Sequence, residues 1–373
     1  MTSDSNPRSG PNPRPGILSI EPYVGGASLI EGKTRIIKLA SNESPFGPSP
    51  KAIEAAARVG ETMHRYPDGG SIDLRQALGK LHRLDPDLIV CGAGSDELLS
   101  LLAHAYAGPG DEVIHSEHGF LVYPIAARAA GAEPVSVAEK NLTTDVDGIL
   151  AAVTERTKIV FLANPNNPTG TYIGGDALAR LHAGLPASVL LVIDAAYAEF
   201  VDENDYDPGM SLVRTAKNVV MTRTFSKLYG LGGMRLGWAF CSKDIADVLN
   251  RVRGPFNVSS TAQATGLAAL EDHAHAEKTR AHTIDWRGRV SQRLRGLGLD
   301  LTDSQGNFVL ARFPGGKTQA DACDAFLKKH GIIVRRMGAY GLPDALRISI
   351  GTDLEMETTM DTIERFLKEG ASS

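Results

Sequence analysis

Four short stretches carry residue types whose spacing could do chemistry together. Thr224-Phe225-Ser226-Lys227 follows an apolar β-branched run and precedes Tyr229-Gly230-Leu231-Gly232-Gly233-Met234-Arg235. A lysine at a strand end, held away from water, gives up its proton more easily and leaves an amine free to attack an aldehyde, as Schiff-base chemistry requires. The glycines permit close backbone approach, and Arg235 offers a planar fork for a phosphate. Taken alone, the same stretch reads as a solvated surface loop. Asn164-Pro165-Asn166-Asn167-Pro168-Thr169-Gly170 fixes a turn that can present amide side chains rigidly, or can simply reverse the chain. Val192-Ile193-Asp194 ends an apolar run on a carboxylate. Burying it is costly unless it meets a cation such as a protonated pyridine nitrogen; otherwise it caps the following helix. Cys91-Gly92-Ala93-Gly94-Ser95-Asp96-Glu97 sets small residues at a helix start, suited to one phosphate through backbone N–H groups or to an ordinary N-cap. Glu97 stands where a dinucleotide fingerprint needs its third glycine, which argues against a nucleotide-dependent dehydrogenase.

These stretches need elements that position them. Hydrophobic periodicity predicts helices over 52–57, 74–84, 96–106, 120–130, 262–270 and 277–294. Short apolar, β-branched runs predict strands over 88–91, 112–115, 135–137, 158–163, 189–194, 219–222 and 238–241. Such strands separated by helices predict a mostly parallel sheet covered on both faces. Further strands over 308–312, 332–335 and 346–350, again between helices, predict a smaller α+β lobe. The expected division is a flexible tail over 1–16, an arm over 17–45, a large domain over 46–255 and a small domain over 256–373. All four stretches fall at predicted carboxyl ends of strands, where open α/β sheets bind ligands. Together they supply a phosphate cup, a carboxylate for a ring nitrogen, donors for a ring oxygen and an amine. Those are the needs of pyridoxal 5′-phosphate, whose protonated ring acts as an electron sink.

Composition narrows the alternatives. The chain has 373 residues, more than one compact core usually holds, so two lobes are expected. With 42% hydrophobic and 22% charged residues it is not an intrinsically disordered sequence. Lys plus Arg number 39 against 44 Asp plus Glu, a net charge of -5, without the basic excess of a nucleic-acid binder. Three scattered cysteines, Cys91, Cys241 and Cys323, suggest neither a disulfide framework nor a zinc site, so no metal and a reducing cytoplasm are expected. The polar start, with two arginines, does not read as a secretory signal, and no apolar run reaches membrane-spanning length.

On Ser41-Asn42-Glu43-Ser44-Pro45-Phe46-Gly47, Arg65-Tyr66-Pro67, Gly94-Ser95-Asp96-Glu97, the 164–170 turn, the 226–235 stretch and Leu346-Arg347-Ile348, the chain resembles the fold-type I pyridoxal phosphate-dependent aminotransferases of class I/II. The resemblance spans about residues 20–367. It implies a large, mostly parallel α/β/α sandwich domain with a smaller α+β domain. Within the family the chain is similar to the branch that passes an amino group between histidinol phosphate and 2-oxoglutarate in histidine biosynthesis. An aromatic amino-acid aminotransferase is the alternative; a decarboxylase of a phosphorylated amino acid and a binding protein that has lost its chemistry are more distant ones. The resemblance implies catalytic roles for Lys227, Asp194 and Tyr197: Lys227 holds the cofactor and shuttles a proton, and Asp194 keeps the ring nitrogen protonated. Asn167 and Tyr197 would bond the ring oxygen, and Ser95, Asp96, Thr224, Ser226 and Arg235 the phosphate. Tyr66 would reach the cofactor of a second subunit, implying a homodimer with shared sites. An aromatic ring usually covers the cofactor; His118 is expected in that place, with Phe120 as the alternative. Substrate contacts are expected from Tyr23, Asn42, Asn307, Arg335 and Arg347, the last gripping a carboxylate in one half-reaction and a phosphate in the other.

Overall fold

The β-branched runs form the strands of two sheets in a computed structural model that describes residues 11–370; of the expected tail, residues 1–10 lie outside the described residues. In chain order the strands are β1 (Ile37–Leu39), β2 (Ile89–Gly92), β3 (Glu112–Ser116), β4 (Glu133–Val137), β5 (Thr157–Ala163) and β6 (Leu190–Asp194). They continue with β7 (Val219–Thr224), β8 (Gly237–Cys241), β9 (Asp300–Leu301), β10 (Phe308–Arg312), β11 (Ile332–Arg336) and β12 (Ala345–Ser349). The larger sheet has the order β2-β8-β7-β6-β5-β3-β4 and the smaller β1-β11-β12-β10-β9.

Pairing is parallel from β4 through β3, β5 and β6 to β7, while β8 runs antiparallel to both β7 and β2. Successive side chains of a strand point to opposite faces, and both faces here are covered. Val160, Leu162, Leu191, Ile193, Val219 and Met221 enter one core. Their neighbours Ile159, Phe161, Leu190, Val192 and Val220 enter the other. This two-sided burial is why the strands read as unbroken apolar runs. Helices Ile72–His82, Val146–Ala152, Gly175–Gly184 and Ser260–Leu270 supply side chains to the first core. Ser95–Tyr106, Val122–Ala130 and Lys243–Val252 supply the second. Helix Ser260–Leu270, capped by Ser259 Oγ on the Ala262 N–H at 3.1 Å, thus still serves the larger sheet.

The smaller sheet packs under Trp286, Val290 and Leu294 of helix His273–Gly296 and under Met356, Met360 and Ile363 of helix Asp353–Gly370. Its edge is β1, which pairs in parallel with β11 through Ile37↔Ile332 and Leu39↔Val334. A segment near the amino terminus is therefore tied into the carboxyl-terminal sheet, and the chain leaving β1 at residue 40 is delivered to the space between the two sheets. Among the described residues no helix is long and apolar enough to cross a membrane. All three cysteines are free and buried.

Candidate functional site

The carboxyl ends of β5, β6 and β7 and the start of helix Ser95–Tyr106 open into one cavity of about 550 Å³. Ser95, Asp96, Asn167, Asp194, Tyr197, Thr224, Ser226, Lys227 and Arg235 all line it. So do Tyr23, Asn42, Arg335 and Arg347, which arrive from the arm and from the smaller sheet.

One end is a cup of donors. Gly94, at φ 90°, turns the chain so that helix Ser95–Tyr106 starts against β8. A Cβ at Gly237 would sit 2.3 Å from the Ser95 nitrogen, so only glycine allows this approach. Thr224 Oγ1 lies 3.0 Å from Ser226 Oγ and accepts the Ser226 N–H at 3.1 Å. Arg235, at φ 53°, donates to Asp96 Oδ1 at 2.6 Å. A helix amino terminus, two hydroxyls and a guanidinium converging at one end suit an anion.

Asp194 lies deeper and is nearly inaccessible. Its carboxylate accepts from Tyr123 Oη at 2.9 Å and from Thr222 Oγ1 at 3.3 Å, Thr222 being its register partner on β7. No cation pairs with it among the described residues, and burial pushes its carboxyl up to about 6 against the hydrogen bonds that hold it down. Among the described residues Lys227 Nζ has one hydrogen bond, to the Ser41 carbonyl at 3.4 Å. Burial, with Arg347 adding repulsion, brings its ammonium down to about 8. A buried carboxylate without a cation, a buried amine without a carboxylate and an anion cup in one cavity match the three polar parts of pyridoxal phosphate: ring nitrogen, aldehyde and phosphate.

The raised carboxyl has a consequence for stability. A folded pKa near 6 against 3.8 means that the native state holds an extra proton between those values, so this contribution is full below pH 3.8 and lost as pH rises through about 6. Two units correspond to about 3 kcal/mol. In cofactor-free protein, Asp194→Asn is therefore expected to gain on the wild type between about pH 4 and 6 in urea unfolding. Parallel pH profiles would show Asp194 to be unperturbed.

Tyr197 carries a hydroxyl that accepts from Asn42 Nδ2 at 2.9 Å. Asn42, at φ 53°, receives a bond from Ser349 Oγ to its Oδ1 at 3.1 Å and gives its own N–H to Ser349 Oγ at 2.8 Å. Asn164 fixes the 164–170 turn by bonding both backbone groups of Ile173, at 2.9 and 3.0 Å. That turn presents Asn167, whose Oδ1 accepts from Arg347. Arg347 also donates to the Ala40 carbonyl at 2.9 Å, and burial pulls its guanidinium below the ordinary value. Arg335 pairs with Arg347 across β11 and β12, so the two guanidinium groups leave one face side by side. Arg335 reaches the Val24 carbonyl at 2.6 Å.

Two expected positions, His118 and Asn307, differ. His118 does not line the cavity: the imidazole turns to the buried Glu139, 3.0 Å from Nδ1, and that hydrogen bond raises its pKa. Phe120 takes the wall instead, edge-on to Tyr123 and to Tyr23 of the arm. Asn307 is wholly buried away from the cavity and donates to the carbonyls of Asn42 and Glu43 at 3.0 and 3.5 Å, so it supports the loop that carries Asn42. Tyr66 is 82% exposed and stacks on Phe256 at 4.6 Å, outside this cavity. Tyr123 and Thr222 were not expected at the site. Tyr123 lies three residues past Phe120, and Thr222 alternates with Thr224 on one strand, which are the only signals the chain offers.

Residues 34–363 match the family Aminotransferase class I and II. A histidinol-phosphate aminotransferase of Rhodospirillum centenum is 61% identical over 360 residues, covering 96% of this chain and 99% of its own length. Another from Paramagnetospirillum magneticum is 58% identical over 359 residues, with the same coverage of both chains. A crystal structure of the Sinorhizobium meliloti histidinol-phosphate aminotransferase in complex with pyridoxal-5′-phosphate is similar with a TM-score of 0.89 and 29% identity, covering 97% of this chain and 99% of that one.

Proposed function

This chain belongs to the class I and II aminotransferases, with the fold-type I architecture, and we propose that it exchanges an amino group between histidinol phosphate and 2-oxoglutarate in histidine biosynthesis. The observation that carries the reading is the paired Arg335 and Arg347 in the cavity that holds Lys227. Pyridoxal phosphate is the cofactor the donor set suits, with Ser95, Asp96, Thr224, Ser226 and Arg235 toward its phosphate, Asn167 and Tyr197 toward its ring oxygen, Asp194 toward its ring nitrogen and Phe120 along the ring. When bound it supplies an electron sink that makes the proton on the substrate's amino-bearing carbon removable.

The remaining work falls to side chains of the chain itself. An amine with a pKa of about 8 is partly neutral near neutral pH, so Lys227 could take that proton and return it to a second carbon two bonds away, across the transferred nitrogen. Arg347 keeps its charge throughout and grips the anion of either substrate: the glutamate carboxylate in one half-reaction, the phosphate of histidinol phosphate in the other. Arg335 adds a second fork, which a doubly charged phosphate uses more fully than a carboxylate. Tyr23, edge-on to Phe120 at the mouth of the cavity, would pack against the imidazole.

The reading extends to a cytoplasmic homodimer. Tyr66 and Phe256 stack at an exposed surface, an apolar pair that a second subunit would cover, with Tyr66 turned to the partner's cavity. We place the arm over 17–45 and the large lobe from residue 46, and the small lobe, expected from residue 256, after helix Ser260–Leu270, which packs in the larger core. The test is the single-turnover rate of the pyridoxal phosphate form with histidinol phosphate and with phenylalanine. Histidinol phosphate should react faster by a factor of about 10² or more, since a hydrogen-bonded charged group discriminates by several kcal/mol. A preference for phenylalanine would replace this function with aromatic amino-acid transamination.

A further inference from the structure

Ser349 does not line the cavity, yet it is buried and engaged twice with Asn42, which does. Its Oγ accepts the Asn42 N–H at 2.8 Å, and its hydroxyl proton has one partner, Asn42 Oδ1 at 3.1 Å. That bond decides which way the amide faces. With Oδ1 held by Ser349, Nδ2 must point to Tyr197 and donate to its hydroxyl at 2.9 Å. Turning the amide over would place Nδ2 against Ser349 Oγ and leave the buried serine proton without an acceptor, an arrangement folded proteins avoid.

The orientation of one amide fixes the polarity of the phenol. Tyr197 Oη already accepts from Asn42, and its single proton has no acceptor among the described residues, so that proton is left for the cavity. Burial raises the Tyr197 pKa, which keeps the proton in place as a donor. With the amide reversed, Asn42 Oδ1 would attract the phenol proton and withdraw it from the cavity. Ser349 and Arg347 stand two residues apart on β12, hence on one face of the strand. The strand that brings the anion-binding guanidinium also sets the direction of the Tyr197 proton.

We infer that Ser349 is a positioning residue which, through Asn42, aims the Tyr197 hydroxyl as a donor at the ring oxygen of the bound cofactor. This rests on the cofactor reading above. The observable is the visible absorbance of the lysine-linked cofactor, whose nitrogen shares a proton with that ring oxygen. A bond donated to the oxygen makes the shared proton easier to lose, so losing the bond raises the pH at which the band changes.

The experiment titrates the absorbance of the loaded protein for the wild type, Ser349→Ala, Tyr197→Phe and the double variant. Ser349→Ala should raise the midpoint by about one pH unit, a tenfold change in proton affinity. In the Tyr197→Phe background the same substitution should add no further shift, because its effect passes through the phenol. An unchanged midpoint in Ser349→Ala, or equal shifts in both backgrounds, overturns the inference. Ser349→Cys fills the same space with a weak donor and gives the same two readings should the alanine variant fail to fold. Absence of any visible band in the wild type with pyridoxal phosphate would instead remove the cofactor reading itself.

Discussion

Lys227→Ala is expected to lower turnover in both half-reactions by roughly 10⁴-fold or more, because it removes the covalent anchor and the proton carrier together. No other group in the cavity can replace it. Arg235, Arg335 and Arg347 remain protonated and cannot serve as bases. Burial pushes Tyr123 and Tyr197 further from ionisation. Asp194 is held by Tyr123 and Thr222 at the far side of the site. The phosphate cup is untouched by the substitution, so the variant should still take up cofactor while failing to turn over. Single-turnover absorbance with glutamate and with histidinol phosphate measures the loss. Borohydride reduction of the wild type, followed by peptide mapping, should leave the pyridoxyl group on Lys227. Turnover within tenfold of the wild type, or a tag on another residue, would remove the mechanism.

Much of this arrangement is legible in the chain, and for a physical reason. Strands buried on both faces must be apolar throughout, so β5, β6 and β7 stand out as β-branched runs, and the polar residues at their ends become conspicuous. Asp194, Thr224 and the 164–170 turn stand out in that way. What escaped depends on distance along the chain. β1 is three residues long and acquires its place only by pairing with β11, nearly three hundred positions away. The antiparallel insertion of β8 between β7 and β2 leaves no mark on its own sequence. Side-chain direction in a turn is equally hidden. His118 and Phe120 lie two residues apart, and the choice between them is made by Glu139, which offers the imidazole a buried partner on the side away from the cavity. Asn307 is expected as a substrate ligand from the resemblance alone. Its carbonyl partners at residues 42 and 43 become visible only once the arm is in place.

Asp194→Asn should act in two opposite directions, which separates a functional carboxylate from a structural one. The asparagine keeps the shape of the side chain and can still accept from Tyr123, but it carries no charge to balance a protonated ring nitrogen. Removing one partner of a buried ion pair costs about 3–5 kcal/mol, so kcat/KM should fall by roughly 10²–10⁴-fold. Without cofactor the sign reverses. At pH 7 the wild-type carboxylate is ionised against the pull of burial, a cost of about 3 kcal/mol that the neutral amide escapes. The cofactor-free variant should then unfold at higher urea concentration than the cofactor-free wild type, while binding of pyridoxal phosphate should stabilise it less than it stabilises the wild type. An aspartate kept only to hold Tyr123 and Thr222 would give the opposite result, with stability falling in both forms and turnover falling only in proportion to the folded protein. The carboxylate is thus expected to carry a site that is strained until its cationic partner arrives, and loss of activity together with gain of stability is the signature to look for.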